Sequence, residues 1–251
     1  MSLPLEGKVA LVTGGGRGLG EGIVKRLAEV GCDIAVVDTI LENAEKVADG
    51  LHALGRRAVA VQADVTKWDQ VQRMVADTIE KLGKLDIAVN NAGVISMKSV
   101  AELTEKDWDF VNGVNAKGVF LCCKAEQEPM KKQGWGRIIN VASIAGKEGF
   151  PDLSHYCASK FAVVGFTFAL AKELQRTGIT VNAIRPGIIG TQMWYGPNGL
   201  AEKWKNPGET MEESWKRHQD ILIPRVRRKR LKTWAIWQSI SPLPNTLPPR
   251  P

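Results

Sequence analysis

The 251-residue sequence has no apolar run long enough to span a bilayer, since stretches such as Ile34 to Val37 or Ala88 to Val89 fall far short of the required length. Its first residues also lack a basic segment followed by an apolar one, so a secretory leader is not expected. These features predict a cytoplasmic chain with no membrane partner. The four cysteines, Cys32, Cys122, Cys123 and Cys157, show no metal-ligand spacing, and reduced thiols without a bound metal are expected. Residues 224 to 251 contain no Asp or Glu but seven basic residues, so the whole net charge of +7 lies in that tail and residues 1 to 223 balance. A nucleic-acid binder working through Arg225 to Lys232 is the reading this charge invites. The run has no interleaved aromatic platform, so a nucleic-acid partner is not expected.

What is present is an average globular composition, 44% hydrophobic and 24% charged, in a chain long enough for one α/β domain. From Val9 to Ile184 short β-branched runs alternate with amphipathic stretches of helical length. Strands are predicted at Val9 to Val12, Ile34 to Val37, Val59 to Gln62, Ile87 to Val89, Arg137 to Val141 and Thr180 to Ile184. Helices are predicted at Leu19 to Val30, Leu41 to Leu54, Lys67 to Leu82, Thr104 to Asn112, Ala116 to Lys132 and Tyr156 to Gln175. Right-handed crossovers then give a doubly wound parallel sheet of Rossmann type in a single domain. Residues 1 to 223 form the catalytic body, a Trp-, Gly- and Pro-rich stretch at about 191 to 220 reads as a substrate lid, and 224 to 251 is an atypical basic, Pro-rich tail.

Thr13-Gly14-Gly15-Gly16-Arg17-Gly18-Leu19-Gly20 follows the first strand and opens the first helix. Glycines there permit a tight turn and let backbone N–H groups approach a pyrophosphate at the helix N-terminus. The second strand ends at Asp38, where a carboxylate can bond the adenine ribose hydroxyls and would repel a 2′-phosphate. A helix cap or turn role for Asp38 is compatible with the same place. Arg17 argues for NADP, but the fixed like charge of Asp38 weighs more, so NAD is the expected cofactor.

Tyr156 and Lys160 stand four apart, which puts phenol and ammonium on one helix face, and a neighbouring cation favours phenolate. Ser143, two residues past the fifth strand, can bond a substrate oxygen and steady a developing alkoxide.

With Asp64-Val65, Asn90-Asn91-Ala92-Gly93, Asn115 and Pro186-Gly187 followed by Thr191, these motifs resemble the short-chain dehydrogenase/reductase family in order and spacing, from about Gly7 to Thr191. The resemblance implies a hydride-transferring enzyme on a secondary alcohol or ketone, with Asn115, Ser143, Tyr156 and Lys160 catalytic. Asn115 would help hold a water that links Lys160 to solvent, although a plain helix-interior polar residue is the alternative. The resemblance assigns the pyrophosphate to Gly14, Arg17, Gly18, Leu19 and Gly20, and the adenine to Asp64 and Val65. Asn91, Ala92 and Gly93 fall to the ribose and sheet end, Tyr156 and Lys160 to the nicotinamide ribose, and Pro186, Gly187, Ile189 and Thr191 to the nicotinamide end.

Gln192-Met193-Trp194 is similar to acetoin reductases, butanediol dehydrogenases and some polyol dehydrogenases. A diol or polyol substrate is therefore expected, with an NADPH-dependent 3-ketoacyl reductase as the alternative. Selectivity should come from Ala145 to Ser154 and Gln192 to Trp215. A homo-oligomer, dimer or tetramer, is implied. Similar proteins continue with a helix, a seventh strand and a glycine-rich end, none of which 225 to 251 resembles. Read in a shifted frame, Leu231 to Ser241 becomes compatible with that helix. The expectation is a frameshifted tail that leaves the final strand missing or non-native, which sequencing the parent DNA tests.

Overall fold

The structure, a computed structural model, describes residues 3–196 and 199–222. The expectations for 224–251, namely the frameshift, the final strand and the basic surface, lie outside the described residues.

Six parallel strands form one sheet in the order β3-β2-β1-β4-β5-β6. They are β1 (Val9–Thr13), β2 (Asp33–Asp38), β3 (Ala58–Gln62), β4 (Ile87–Asn90), β5 (Gly136–Val141) and β6 (Ile179–Ile184). All six expected strands are present, with ends moved by a few residues at most. The inner strands β1, β4 and β5 are buried along their whole length, because a parallel sheet covered on both faces gives no residue to water. That is why β1 and β4 read as near-continuous apolar runs, whereas β5 buries Arg137 and Asn140 among its apolar residues.

The helices are α1 (Gly18–Glu29), α2 (Leu41–His52), α3 (Trp68–Leu82), α4 (Glu105–Asn112), α5 (Gly118–Gln133) and α6 (Ser154–Glu173). Alternate strand residues feed two cores. Ala10, Val12, Ile34 and Val36 pack with Ile23 and Leu27 of α1 and Val47 and Leu51 of α2. Val9, Leu11, Val37 and Ile138 pack with Met74 of α3, Leu121 and Met130 of α5, and Val163 and Leu170 of α6. Strand order reverses between β1 and β4, so the chain departs to opposite sides there and leaves a crevice at the carboxyl ends of those strands.

Two features differ from the sequence reading. The helices predicted as separate at 104–112 and 116–132 are joined by a wider π-helical turn, Gly113–Lys117, closed by the Gly118 N–H on the Gly113 carbonyl. One inserted residue re-aims the side chains of a helix, and such turns cluster at functional positions. The stretch read as a substrate lid, for which no element was predicted, carries three helices: α7 (Gln192–Tyr195), α8 (Leu200–Lys203) and α9 (Met211–Leu222). A reciprocal cap starts α9, where Glu213 N–H donates to Thr210 Oγ1 at 3.2 Å and Thr210 N–H donates to Glu213 Oε2 at 2.8 Å. This Thr-x-x-Glu signal was readable in the sequence.

The sequence reading also passed over a buried polar island behind the sheet end. Glu126 of α5 falls in the buried stripe Leu121, Cys122, Cys123 and Met130, and is 0% exposed. Asn90 Nδ2 donates to Glu126 Oε2 and to Asn140 Oδ1, both at 3.0 Å, and Asn140 Nδ2 donates to Thr167 Oγ1 at 3.0 Å. Glu126 Oε1 has no partner among the described residues. Burial therefore pushes the carboxyl up to about 7, against the hydrogen bond from Asn90. A carboxyl raised in the folded state binds more protons folded than unfolded between pH 4.5 and about 7, so stability should fall as pH rises through that window and stay level above it. The cost is on the order of 3 kcal/mol for a shift of this size. Thermal melts of the chain and of Glu126→Gln from pH 5 to 8 check this. The parent should lose melting temperature up to about pH 7 and then hold level, and the variant should be flat and more stable at pH 8.

Candidate active site

At the carboxyl ends of β1 and β4 lies a cleft of about 1310 Å³ that runs from the glycine loop past Tyr156 to α7–α9. It exceeds the usual volume for one small ligand, ~300–1,000 Å³, and so has room for a dinucleotide and a substrate together.

The loop after β1 is shaped for backbone approach. Gly14 has φ +61°, and a Cβ on Gly20 would run into the Gly14 carbonyl oxygen, so the first turn of α1 can lie directly on the loop only without side chains. Thr13 Oγ1 ties the loop to the next crossing, accepting from the N–H groups of Asn91 at 3.0 Å and Ala92 at 3.1 Å. Asn91 Nδ2 returns to the carbonyls of Thr13 at 3.0 Å and Gly14 at 3.1 Å.

Asp38 closes β2 beside this loop, 6% exposed. Its two oxygens accept from Gly16 N–H at 3.1 Å and Ile40 N–H at 3.2 Å. The turn role and the cleft-lining position therefore coexist, because each carboxylate oxygen keeps a further lone pair. Arg17 reaches the lid, where its guanidinium donates to Gln192 Oε1 of α7 at 3.0 Å. Asp64 Oδ1 accepts from Thr66 N–H and Oγ1, both at 2.8 Å. Val65 packs against Gly118, where a Cβ would stand 2.7 Å from its methyl. A glycine cradle open to a pyrophosphate, with a carboxylate at the end of the next strand, fits an adenine dinucleotide.

Near the middle of the cleft stand Ser143, Tyr156 and Lys160. Ser143 has extended backbone at the mouth of a tight turn, Ile144–Gly146, and its Oγ accepts from Ala145 N–H at 3.2 Å. Tyr156 and Lys160 share a face of α6, with Lys160 Nζ 5.7 Å from the phenol ring centre. Here the structure corrects the expected electrostatics. Burial is the largest influence on the phenol and raises it, while the Ser143 hydroxyl pulls it partly back. Lys160, whose ammonium donates to the Val141 carbonyl at 2.9 Å, is itself lowered by burial to about 8. Desolvation opposes charge on both groups, and sequence spacing gives proximity without burial.

Every residue expected to bind cofactor or substrate lines the cleft, including Leu19, Pro186, Gly187, Ile189 and Thr191, whereas Asn115 stands one layer behind. It is 0% exposed in the π-helical turn. Its Oδ1 accepts from Val94 N–H at 2.8 Å, and its Nδ2 donates to Val94 O at 2.9 Å and Ser159 Oγ at 3.0 Å. Both amide hydrogens are spent, so only its second Oδ1 lone pair and its backbone remain for a water. Gly93 is the spacer: a Cβ there would lie 3.3 Å from Asn115 Oδ1 and 3.5 Å from Lys160 Nζ. Ser159, which the sequence reading missed, donates to the Tyr156 carbonyl at 2.7 Å and so links Asn115 to the helix turn carrying the phenol. Its position three after Tyr156 on the same helix was the available signal.

Beyond Tyr156 the wall is apolar and aromatic. His155 beneath it is 0% exposed, bonded at Nε2 to Ser96 Oγ at 2.8 Å, and burial lowers its pKa, which keeps the ring neutral. No group of three or more His, Cys, Asp or Glu able to hold a metal occurs among the described residues, and no helix among them is long and apolar enough to cross a membrane.

Comparison with known proteins agrees with this geometry. The family model for short chain dehydrogenases matches residues 8–198. The chain is 42% identical over 219 residues to L-2,3-butanediol dehydrogenase of Corynebacterium glutamicum, covering 86% of this chain and 84% of the relative. It is equally 42% identical over 190 residues to a 3-oxoacyl-[acyl-carrier-protein] reductase of Synechocystis sp., covering 75% and 77%. Among solved structures, a short-chain type dehydrogenase/reductase from Mycobacterium marinum superposes with a TM-score of 0.73 at 38% identity, over 75% of each chain.

Proposed function

The chain belongs to the short-chain dehydrogenase/reductase family, an oxidoreductase family acting on CH–OH or ketone groups with NAD(P), and from that premise we propose that it interconverts a small secondary alcohol and its ketone with NAD(H). The diol kind of alcohol is supported by the butanediol dehydrogenase relative. The observation that carries the reading is the meeting of Ser143, Tyr156 and Lys160 in one cleft with the glycine loop and Asp38.

Ser143 holds the substrate oxygen, and Tyr156 gives or takes the proton on it. Lys160, lowered to about 8, exchanges protons near neutral pH and returns one to the phenol. Asn115 acts through others: it clamps the Val94 backbone and Ser159, which fixes the loop after β4 against α6. NAD, when bound, supplies the hydride-exchanging carbon and, in its oxidised form, a positive ring that favours phenolate. Asp38 supports NAD over NADP because its charge is held by backbone bonds beside the glycine loop and pairs with no cation among the described residues. Arg17 donates to Gln192 of α7 and makes no ion pair with Asp38.

Residues 191 to 220 serve as a lid on a catalytic body of 1 to 223. Phe120, Phe161 and Phe168 on α5 and α6, exposed by 44%, 47% and 66%, support pairing of two copies into a dimer or tetramer. A 3-ketoacyl reductase using NADPH is the second reading, favoured by the Synechocystis relative. The test is whether the purified chain consumes NADH in proportion to added ketone, with saturation in both. Consumption only with NADPH and a 3-oxoacyl thioester would replace the first reading by the second.

A further inference from the structure

The loop that leaves β4, residues 91–99, forms one side of the cleft with no helix or strand of its own to hold it. Its shape therefore depends on side-chain fastenings. Near its start Val94 is clamped by Asn115, and near its end Lys98 N–H donates to the Asp152 carbonyl at 3.0 Å while Lys98 Nζ pairs with Asp107 of α4 at 2.7 Å. The wall lies between these points. Ile95 and Met97, both half-buried, pack with the cluster of Tyr156 and Leu153 and with that of Trp194 and Leu200 in the lid, and Ile95 lines the cleft. Among the described residues, 95–97 make a single hydrogen bond: Ser96 Oγ lies 2.8 Å from His155 Nε2.

His155 immediately precedes Tyr156 on α6, so its side chain is turned about 100° round the helix from the phenol. One face of α6 serves the reacting oxygen and the next serves the loop. The imidazole is 0% exposed, and its Nδ1 has no partner among the described residues. A buried N–H without an acceptor is the costlier orphan, so the ring proton sits on Nε2 and is donated to Ser96 Oγ. Asp107 and Lys98, the charged groups whose fields act on the ring, are paired with each other.

From this juxtaposition we infer that His155 is a positioning residue: acting through Ser96, it holds Ile95 and Met97 against Tyr156 and the lid, and so governs how tightly the substrate body is gripped without touching substrate or nucleotide. The inference rests on the dehydrogenase reading above and adds to it the residue that fixes one wall. Packing alone is non-directional, so with the Ser96 bond gone nothing sets the register of 95–97 between Val94 and Lys98. The proton step is spared. Ser143, Tyr156 and Lys160 are carried by the end of β5 and by α6, and the glycine loop and Asp38 by β1 and β2, none of which this bond holds in place.

The test is steady-state kinetics with whichever of acetoin, 2-pentanone and an acetoacetyl thioester the parent reduces best, at saturating NADH or NADPH. Ser96→Ala and His155→Phe should each raise KM for that carbonyl compound ~10-fold, with kcat within about threefold and the nucleotide Kd unchanged. Joining the two changes should be no worse than the poorer single one, because both remove the same bond. His155→Gln, whose amide can still donate to Ser96 Oγ, should keep KM within about threefold of the parent. An unchanged KM in Ser96→Ala, effects that multiply in the double variant, or a fall in kcat and nucleotide affinity alongside KM overturns the inference and leaves the enzyme reading intact. Should His155→Phe not fold, Ser96→Ala at its half-buried loop position decides the matter by itself. A parent that binds nucleotide but reduces none of the three overturns both readings.

Discussion

Tyr156→Phe is expected to lower kcat by ~10³-fold, about 4 kcal/mol of transition-state stabilisation, while NADH binds as before. The ring still packs with Leu153, Val111 and Cys157, so the cleft keeps its shape and only the hydroxyl is lost. The structure sharpens this expectation. Burial holds the phenol above its ordinary value and lowers Lys160 to about 8, so near neutral pH the hydroxyl carries its proton and Lys160 can replace it, a relay that the phenylalanine variant cannot use. Steady-state kinetics with a fluorescence titration of NADH check it. Turnover within a few-fold of the parent would remove Tyr156 from the proton-transfer role.

The second large effect concerns the nucleotide. The chain should use NADH over NADPH by ~10²-fold in kcat/KM, because a buried carboxylate near a 2′-phosphate acts at short range in a medium of reduced dielectric. Asp38→Asn should narrow that ratio by about tenfold by removing the like charge. Asp38→Ala should narrow it too, but with a lower melting temperature, since it strips the acceptors of both Gly16 and Ile40 N–H. A parent that prefers NADPH would mean that Arg17 leaves Gln192 to pair with the phosphate and that Asp38 serves only the turn.

The order of strands and helices was legible because most of the inner parallel strands are short apolar runs bounded by turn residues, and α1, α2 and α3 carry clearly periodic faces. The glycine loop, Asp38, Ser143, Tyr156 and Lys160 were legible for a different reason: their chemistry needs fixed spacing on a strand end or a helix face. What was not legible depends on contacts distant in sequence. The π-helical turn at Asn115 is held by Val94, 21 residues away, and Ser159, 44 residues away, so no local pattern announces it. The raised phenol and the lowered lysine follow from burial that only the packed helix α6 reveals. In the lid, attention to Trp, Gly and Pro led to no helix being predicted, and the Thr210–Glu213 cap that begins α9 was passed over although it was there to be read.

The central claim is that this cleft moves a hydride between NAD(H) and a carbonyl carbon. Its most direct test is mass spectrometry of the alcohol formed from an unlabelled ketone and NADH deuterated at the transferable position of the nicotinamide ring. The alcohol should carry one deuterium on its carbinol carbon, with the label absent when Tyr156→Phe replaces the parent at matched turnover time. Alcohol formed without deuterium when each prochiral label is tested in turn, or no alcohol from any ketone, would contradict the account.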